Sequence, residues 1–323
     1  MRRRGCLLQA IAALLLALGL LSLLGGWYSS GPLKADKPFI VPDGASLGTV
    51  AAKLEAAGAI KSADSFRLRA RIFGGGAPIK AGEFLLPKGG SPSSILAILQ
   101  GDEVLRRFVT VPEGLPSIMV YERLTAQPML TGSIAVPPEG SILPDTYEIE
   151  RGESRQAVVL RMQAAMQRTL AELWAKRAPG IAVSTPQQAL ALAAIVEKET
   201  GKPAERRIVA GLYSNRLRQG IMLQADPTII YPITKGKPLG RRILQSEIQA
   251  INDYNTYSMI GLPKGPITNP GRASIEAVLN PAKTDALYMV ADGTGGHQFA
   301  STLQQHNANV ERWFKLRRAR GEI

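Results

Sequence analysis

Apolar residues follow three different rhythms along the chain. From Cys6 to Leu24 they dominate an uncharged run of about 19 residues, close to the roughly 20 that a helix needs to cross a hydrocarbon core. From Phe39 to Leu99 they come in short bursts divided by turn residues. From Ser154 onward they recur at helical spacing. The bursts predict definite elements. Phe39-Ile40-Val41 reads as a strand closed by the turn Pro42-Asp43-Gly44. Ser46 caps a helix from about Leu47 to Ala57, with Leu47, Val50, Ala51 and Leu54 on one face and Gly58 as its stop. Ser62 caps a second helix, Ala63 to Ile72, which ends before Gly74-Gly75-Gly76. Ala81 to Leu86 is a strand ended by Pro87, and Ser91 to Leu99 is another capped helix.

One turn is repeated. Val41-Pro42-Asp43-Gly44 recurs as Val111-Pro112-Glu113-Gly114, and each copy precedes a helix-like stretch and, later, a Leu-Pro strand end. This predicts two related small α/β units in tandem. The helical rhythm begins at Arg155 and runs to Arg177, with Val158, Val159, Met162, Met166, Leu170 and Leu173 in register; Pro179-Gly180 breaks it. Thr185-Pro186 then supplies a cap followed by proline at the first helical position, and the helix it opens reaches about Thr200. After Asp226 the chain is rich in Gly, Pro, Asn and Tyr, as a loop-lined groove would be. Leu287 to Ala291 reads as a late strand and Leu303 to Arg320 as a closing helix.

The flanks of the first apolar run decide the expected compartment. Arg2, Arg3 and Arg4 precede it, and Trp27 and Tyr28 follow it where interfacial aromatics belong. A cleaved signal peptide has a shorter apolar segment and a small-residue cleavage site; this run is long and lacks that pattern. The expectation is an uncleaved single-pass anchor over 1–28 with its N-terminus in the cytoplasm, a linker over 29–38, and all that follows on the far side of the membrane.

Charge narrows the partners. Lys and Arg number 39 against 26 Asp and Glu, a net +13, which suits nucleic acid, an anionic lipid surface or an acidic polymer. The topology and an aromatic content of only 6% argue against nucleic acid, which is bound through stacking platforms. A single cysteine, Cys6, excludes an intramolecular disulfide framework. Two histidines, His297 and His306, leave little for a metal site and read as ordinary fold residues.

The most informative chemistry lies on the helix ending near Thr200. On a 3.6-residue wheel Leu192, Ile195, Val196 and Glu199 share a face, whereas Glu197 falls with Leu190, Ala193 and Ala194. Glu199 therefore extends the core-facing stripe. It also occupies the last turn, where the dipole disfavours a carboxylate. Partial burial acts in the same sense. Both effects raise the pKa, as a general acid requires.

The stretch Ala193-Ala194-Ile195-Val196-Glu197-Lys198-Glu199-Thr200 resembles the signature of the endolytic murein transglycosylases, the MltG/YceG-like family. Further blocks match in order. They are Leu143-Pro144-Asp145-Thr146-Tyr147, Ser214-Asn215-Arg216-Leu217, Met222-Leu223-Gln224-Ala225-Asp226-Pro227-Thr228, Tyr254-Asn255-Thr256-Tyr257, Gly261 to Ile267, Asn269-Pro270-Gly271 and Val290-Ala291-Asp292-Gly293. The resemblance spans roughly residues 39 to 315. It implies an α+β protein: an N-terminal transmembrane helix, a LysM-like α/β subdomain over 39–104, and a mixed helical and loop-rich catalytic domain over 105–323. It implies a bacterial inner-membrane protein with its catalytic domain in the periplasm. The implied reaction is cleavage of the MurNAc–GlcNAc β-1,4 bond within peptidoglycan glycan strands, leaving 1,6-anhydro-MurNAc ends. No cofactor is implied, and peptidoglycan synthases are the implied protein partners. One glutamate of the Glu-x-Glu motif is catalytic in that family, which maps to Glu199, with Glu197 as the alternative. Gln224, Asp226, Tyr254, Asn255 and Asn269, from the later blocks, are the expected sugar contacts. Two other readings remain open at this level: a non-catalytic peptidoglycan-binding scaffold, and a muramidase that uses water with Asp226 or Glu205 as second carboxylate.

Overall fold

The computed structural model describes residues 11, 13–15, 18, 19, 21, 22 and 24–323. The expected anchor over 1–28 lies in large part outside the described residues, and among those described no helix is long and apolar enough to cross a membrane. The chain divides into two units, one ending at Arg107 and the other running from Phe108 to Ile323. The architecture is α+β, with small two-stranded sheets among many helices.

The first unit runs β1 (Lys37–Val41), α1 (Leu47–Ala56), α2 (Ala63–Phe73), β2 (Gly82–Leu86) and α3 (Pro92–Gln100). The strands pair antiparallel with Phe39 opposite Phe84. Period-2 alternation buries Phe39, Val41, Phe84 and Leu86 and turns Ile40 and Leu85 outward. Each helix starts where its serine says: Ser46, Ser62 and Ser91 accept from the backbone N–H three residues on. Two expectations need correction here. Trp27 is not a free-standing aromatic beyond the apolar run: it is 2% exposed and packs inside the first unit on Phe66 and Phe73 with ring centroids 5.8 and 6.3 Å apart. An indole of that size buries more surface in a core than at an edge. Residues 29–38 are not a free linker either. Gly31 N–H donates to the Gly89 carbonyl, Gly89 N–H to the Leu33 carbonyl, and Asp36 accepts from Lys88 N–H. A Cβ at Gly31 would run into the Gly90 carbonyl, so only glycine allows the strap to lie this close.

From the last residue of the first unit the chain enters β3 (Arg107–Thr110), followed in the second unit by α4 (Ser117–Thr125) and β4 (Thr146–Ile149), β3 pairing with β4. The repeated turn is real as chemistry: Gly44 and Gly114 both take positive φ, 67° and 71°. The repeat stops there, because one helix rather than two separates these strands. Then come α5 (Arg155–Ala175), α6 (Pro186–Glu199), a 3-10 turn (Pro203–Glu205), α7 (Arg206–Arg218), α8 (Asp226–Thr234), α9 (Gln245–Ile248), α10 (Arg272–Leu279), the antiparallel pair β5 (Tyr288–Ala291) and β6 (His297–Ala300), and α11 (Leu303–Ala319). Thr185 caps α6 as expected, its hydroxyl accepting from Gln188 N–H. Every residue from Ala189 to Val196 is buried. The alanines at 189, 191, 193 and 194 let α5, α7, α8 and α10 close around α6.

Candidate active site

Because α6 is enclosed on all sides, the helical wheel does not separate its two glutamates; what lies at the helix end does. Glu199 is the last helical residue before Thr200, the C-cap. Its Oε1 is buried and has no hydrogen-bond partner. Burial, reinforced by the charge of Asp226, pushes the carboxyl up to about 7, against the Tyr213 hydroxyl and the Arg216 guanidinium, which act the other way.

Tyr213 and Arg216 stand one turn apart on α7 and so face the same space. Tyr213 is fully enclosed, and burial, with the Glu199 charge, holds its phenol well above the usual range, so it stays a donor. Arg216 is fixed by acceptors: Nε donates to the Leu287 carbonyl at 2.6 Å, and Nη1 to the Met222 and Leu223 carbonyls at 3.0 and 2.9 Å and to Gln224 Oε1 at 3.3 Å. Its guanidinium also lies 5.3 Å from the Tyr288 ring centroid. The Gln224 backbone is left-handed, φ 54°, a conformation that costs a non-glycine residue of order 1 kcal/mol and survives where its surroundings over-determine it. Its N–H is tied to the Thr256 carbonyl at 3.1 Å. Asp226 heads α8, followed by Pro227 at the second position, and its Oδ1 accepts from the Tyr257 hydroxyl at 2.6 Å. Burial and that bond raise the Tyr257 phenol as well.

These side chains line one open cavity of about 350 Å³, together with Lys198, Leu223 and Met289. A carboxyl that holds its proton near neutrality, a second carboxylate, a fixed cation and two phenols thus converge on a space of sugar size. Such a constellation supplies general acid–base chemistry and polar contacts to hydroxyl and acetamide groups.

Of the residues expected from sequence, Glu199, Gln224 and Asp226 meet at this cavity. The others do not. Glu197 is turned away from it: 5% exposed, it accepts from Gly271 N–H at 2.9 Å and sits 3.6 Å from Arg206, which also bridges to Glu113. Gly271 is the N-cap of α10, so Glu197 holds a helix start, where negative charge is favoured. Asn255 and Asn269 are 0% exposed. Asn255 Nδ2 donates to the Ile248 and Ala250 carbonyls, and its Oδ1 accepts from Tyr257 N–H. Asn269 Oδ1 accepts from Ile142 N–H, while its Nδ2 donates to the Leu115 carbonyl and Ser117 Oγ. Their amides are consumed inside the fold, which leaves nothing for a sugar. Tyr254 packs on Tyr231, centroids 4.8 Å apart, outside the cavity lining. Glu205 is occupied by His297, whose Nδ1 lies 2.8 Å away, and by Thr200. Although burial opposes it, the bonds from His297 keep Glu205 below the usual carboxylate range.

Tyr213, Arg216 and Tyr257 had no role assigned from sequence. Arg216 and Tyr257 lie inside two of the blocks that carry the resemblance, and Tyr213 stands three residues before Arg216 on the same helix; those are the signals that could have found them. Among the described residues no group of three or more His, Cys, Asp or Glu is placed to hold a metal ion.

Comparison with known proteins adds to this geometry. The profile of the YceG-like family matches residues 39–312. The endolytic murein transglycosylase of Bacillus subtilis (strain 168) is 27% identical over 305 residues, covering 84% of this chain and 83% of that protein. The endolytic murein transglycosylase of Streptococcus pneumoniae serotype 2 (strain D39) is 29% identical over 320 residues, with 84% of this chain but only 57% of that longer protein covered. Among solved structures, a yceG-like protein from Listeria monocytogenes superposes with a TM-score of 0.52 at 25% identity, over 85% of this chain and 99% of that one.

Proposed function

The chain belongs to the YceG-like family, and we propose that it is an endolytic murein transglycosylase, with Glu199 as its acid–base residue. The observation that carries the assignment of Glu199 is the state of its carboxyl: half-buried, with Oε1 enclosed and unpartnered, held protonated up to about 7, and opening on the same cavity as Gln224, Asp226 and Tyr257. Most glycosidases need two carboxyl groups because the nucleophile is water or an enzyme carboxylate. A lytic transglycosylase takes its nucleophile from the substrate. Protonated Glu199 gives its proton to the glycosidic oxygen as the C1–O4 bond breaks. The N-acetyl oxygen of the same MurNAc relieves the oxocarbenium charge. Ionised Glu199 then takes the C6 hydroxyl proton as O6 closes onto C1. One bond breaks, one forms, and the proton passes from O6 to the leaving oxygen with no water consumed. A pKa near 7 lets one residue perform both transfers. Gln224, Asp226 and Tyr257 position the sugar, and Arg216 fixes the Gln224 side chain.

The remaining features fit the same reading. The β1-α1-α2-β2 arrangement of the first unit serves as a LysM-like glycan-holding module. Residues 6–24 serve as a single-pass anchor in the inner membrane, with the folded units in the periplasm beside nascent strands and their synthases.

Asp226 beside Glu199 gives the hydrolytic reading a second carboxylate, so the deciding experiment is product mass. Digestion of purified glycan strands should release 1,6-anhydro-MurNAc ends, which lack the mass of water carried by a hydrolysed end. Reducing MurNAc ends in their place would make the enzyme a muramidase. No cleavage at all, with glycan still bound, would leave the scaffold reading.

A further inference from the structure

A second cavity, of about 370 Å³, lies wholly within the first unit and takes no part in the chemistry above. One wall is Ser22, Gly26 and Ser29, spaced as one face of a helix. The facing wall is Lys61, Ser65 and Arg69. Among the described residues its lining holds two cationic side chains and no carboxylate. Arg69 is short of acceptors: Nη1 reaches the Gly26 carbonyl at a long 3.4 Å, and Nε is enclosed with no hydrogen-bond partner. A guanidinium carries five donors, and leaving buried ones unpaired is costly. The guanidinium occupies the space that a Cβ at residue 26 would need, so glycine there makes room for it. The walls are fixed in place. Trp27, next to Gly26, is locked against Phe66 and Phe73 of α2, and the strap after Ser29 is tied to Gly89.

The place of the cavity along the chain says what would enter it. Ser22 lies inside the apolar run Cys6–Leu24 and Gly26 just beyond its end. Where that run leaves the hydrocarbon, the cavity sits at the level of lipid headgroups. We propose that it seats the phosphate of an anionic lipid headgroup, with Arg69 paired to the phosphate oxygens and Lys61 adding charge at the rim. Arg–phosphate pairing supplies the acceptors that the guanidinium lacks, and the outcome is a first unit held against an anionic bilayer surface. This inference rests on residues 6–24 being the membrane span.

The test uses the full chain in a neutral detergent. Its thermal unfolding is followed while titrating dihexanoyl phosphatidylglycerol, dihexanoyl phosphatidylcholine or inorganic phosphate. Phosphatidylglycerol should raise the unfolding temperature, and the other two should not at equal concentration. Lys61→Gln and Arg69→Gln should each shift the phosphatidylglycerol midpoint upward by roughly tenfold, the loss expected for a charged hydrogen bond. Lys61 is exposed, so its variant should unfold at the wild-type temperature without lipid. That guards against an Arg69 variant that fails to fold. Equal stabilisation by inorganic phosphate or by phosphatidylcholine would overturn the proposal, as would unchanged midpoints in both variants. The span is checked separately by alkaline carbonate extraction of membranes. Release into the supernatant would remove the premise, whereas retention without any phosphatidylglycerol effect would sink the headgroup site alone.

Discussion

In the role proposed for it, Glu199 sets stability against activity within one side chain. Its carboxyl is held up to about 7, first by burial and then by the Asp226 charge, while in the unfolded chain it titrates near 4.5. Between those two values the folded state keeps a proton that the unfolded state has lost. Stability therefore falls as pH rises through this window and levels off above it. The cost at pH 8 is on the order of 3 kcal/mol. Glu199→Gln should reduce turnover by about 100- to 10,000-fold, the usual loss on removing a general acid–base group. The same variant should melt higher than wild type at pH 8, and that advantage should vanish below pH 4.5. Equal melting temperatures at pH 8 would mean that the carboxyl ionises in the fold at little cost. Asp226 makes a separate claim. If its charge helps keep Glu199 protonated, Asp226→Asn lowers the pKa of Glu199, and the alkaline limb of kcat/KM moves to lower pH. A raised KM with an unmoved limb would instead make Asp226 a sugar contact alone.

At the level of elements, capping chemistry was readable and long-range clamping was not. Ser46, Ser62, Ser91, Ser154 and Thr185 each mark a helix start by a bond closed within three residues, so the sequence carries the whole signal. Helix α8 is different: Pro227 and Pro232 fall within its nine residues, and Pro232 is inside the helix. Proline there reads as loop, and it is the packing of α8 on α6 that supports it. Helix α10 begins at Gly271, whose N–H is satisfied by Glu197 from 74 residues away. No local pattern announces such a cap. The same distance problem explains the site. The place of Glu199 at the end of a capped helix was legible because that pattern is local, but Tyr257 meets Asp226 across 31 residues, and Asn269 binds Ile142 N–H across 127. Asn269 therefore reads as a sugar contact in the sequence when it is a buried clamp. Asn269→Ala leaves the Ile142 N–H, the Leu115 carbonyl and Ser117 Oγ without that partner. It should destabilise the second unit by roughly 2–4 kcal/mol, since each stranded buried group costs about 1–3 kcal/mol. Urea unfolding measures this, and a loss below 0.5 kcal/mol would contradict the clamp, by the usual scale of neutral surface changes.

For the whole molecule, the question is how the cores divide the labour. One core holds Trp27, Phe39, Phe66, Phe84 and Leu99, all before Arg107. The others lie wholly after Phe108, around α5 and α6. Among the described residues, those lining the Glu199 cavity fall between 198 and 289. Trp27 is the residue on which the sequence reading and the structure disagree most, and the two views predict different behaviour. A tryptophan at a bilayer interface contributes only when a bilayer is present. A tryptophan packed on Phe66 and Phe73 contributes in detergent as well. Trp27→Ala removes a large buried ring, a change that costs roughly 3–5 kcal/mol. That is a large share of the 5–15 kcal/mol that typically separates folded from unfolded domains. Calorimetry of the full chain in detergent should show the transition of the first unit moved down or lost, with the second transition in place. Cleavage of short soluble glycan strands should proceed at the wild-type kcat, because among the described residues none that lines the Glu199 cavity belongs to the first core. An unmoved first transition in detergent would return Trp27 to the interface. A kcat that fell with it would show that the first unit shapes the site from which it is separate in sequence.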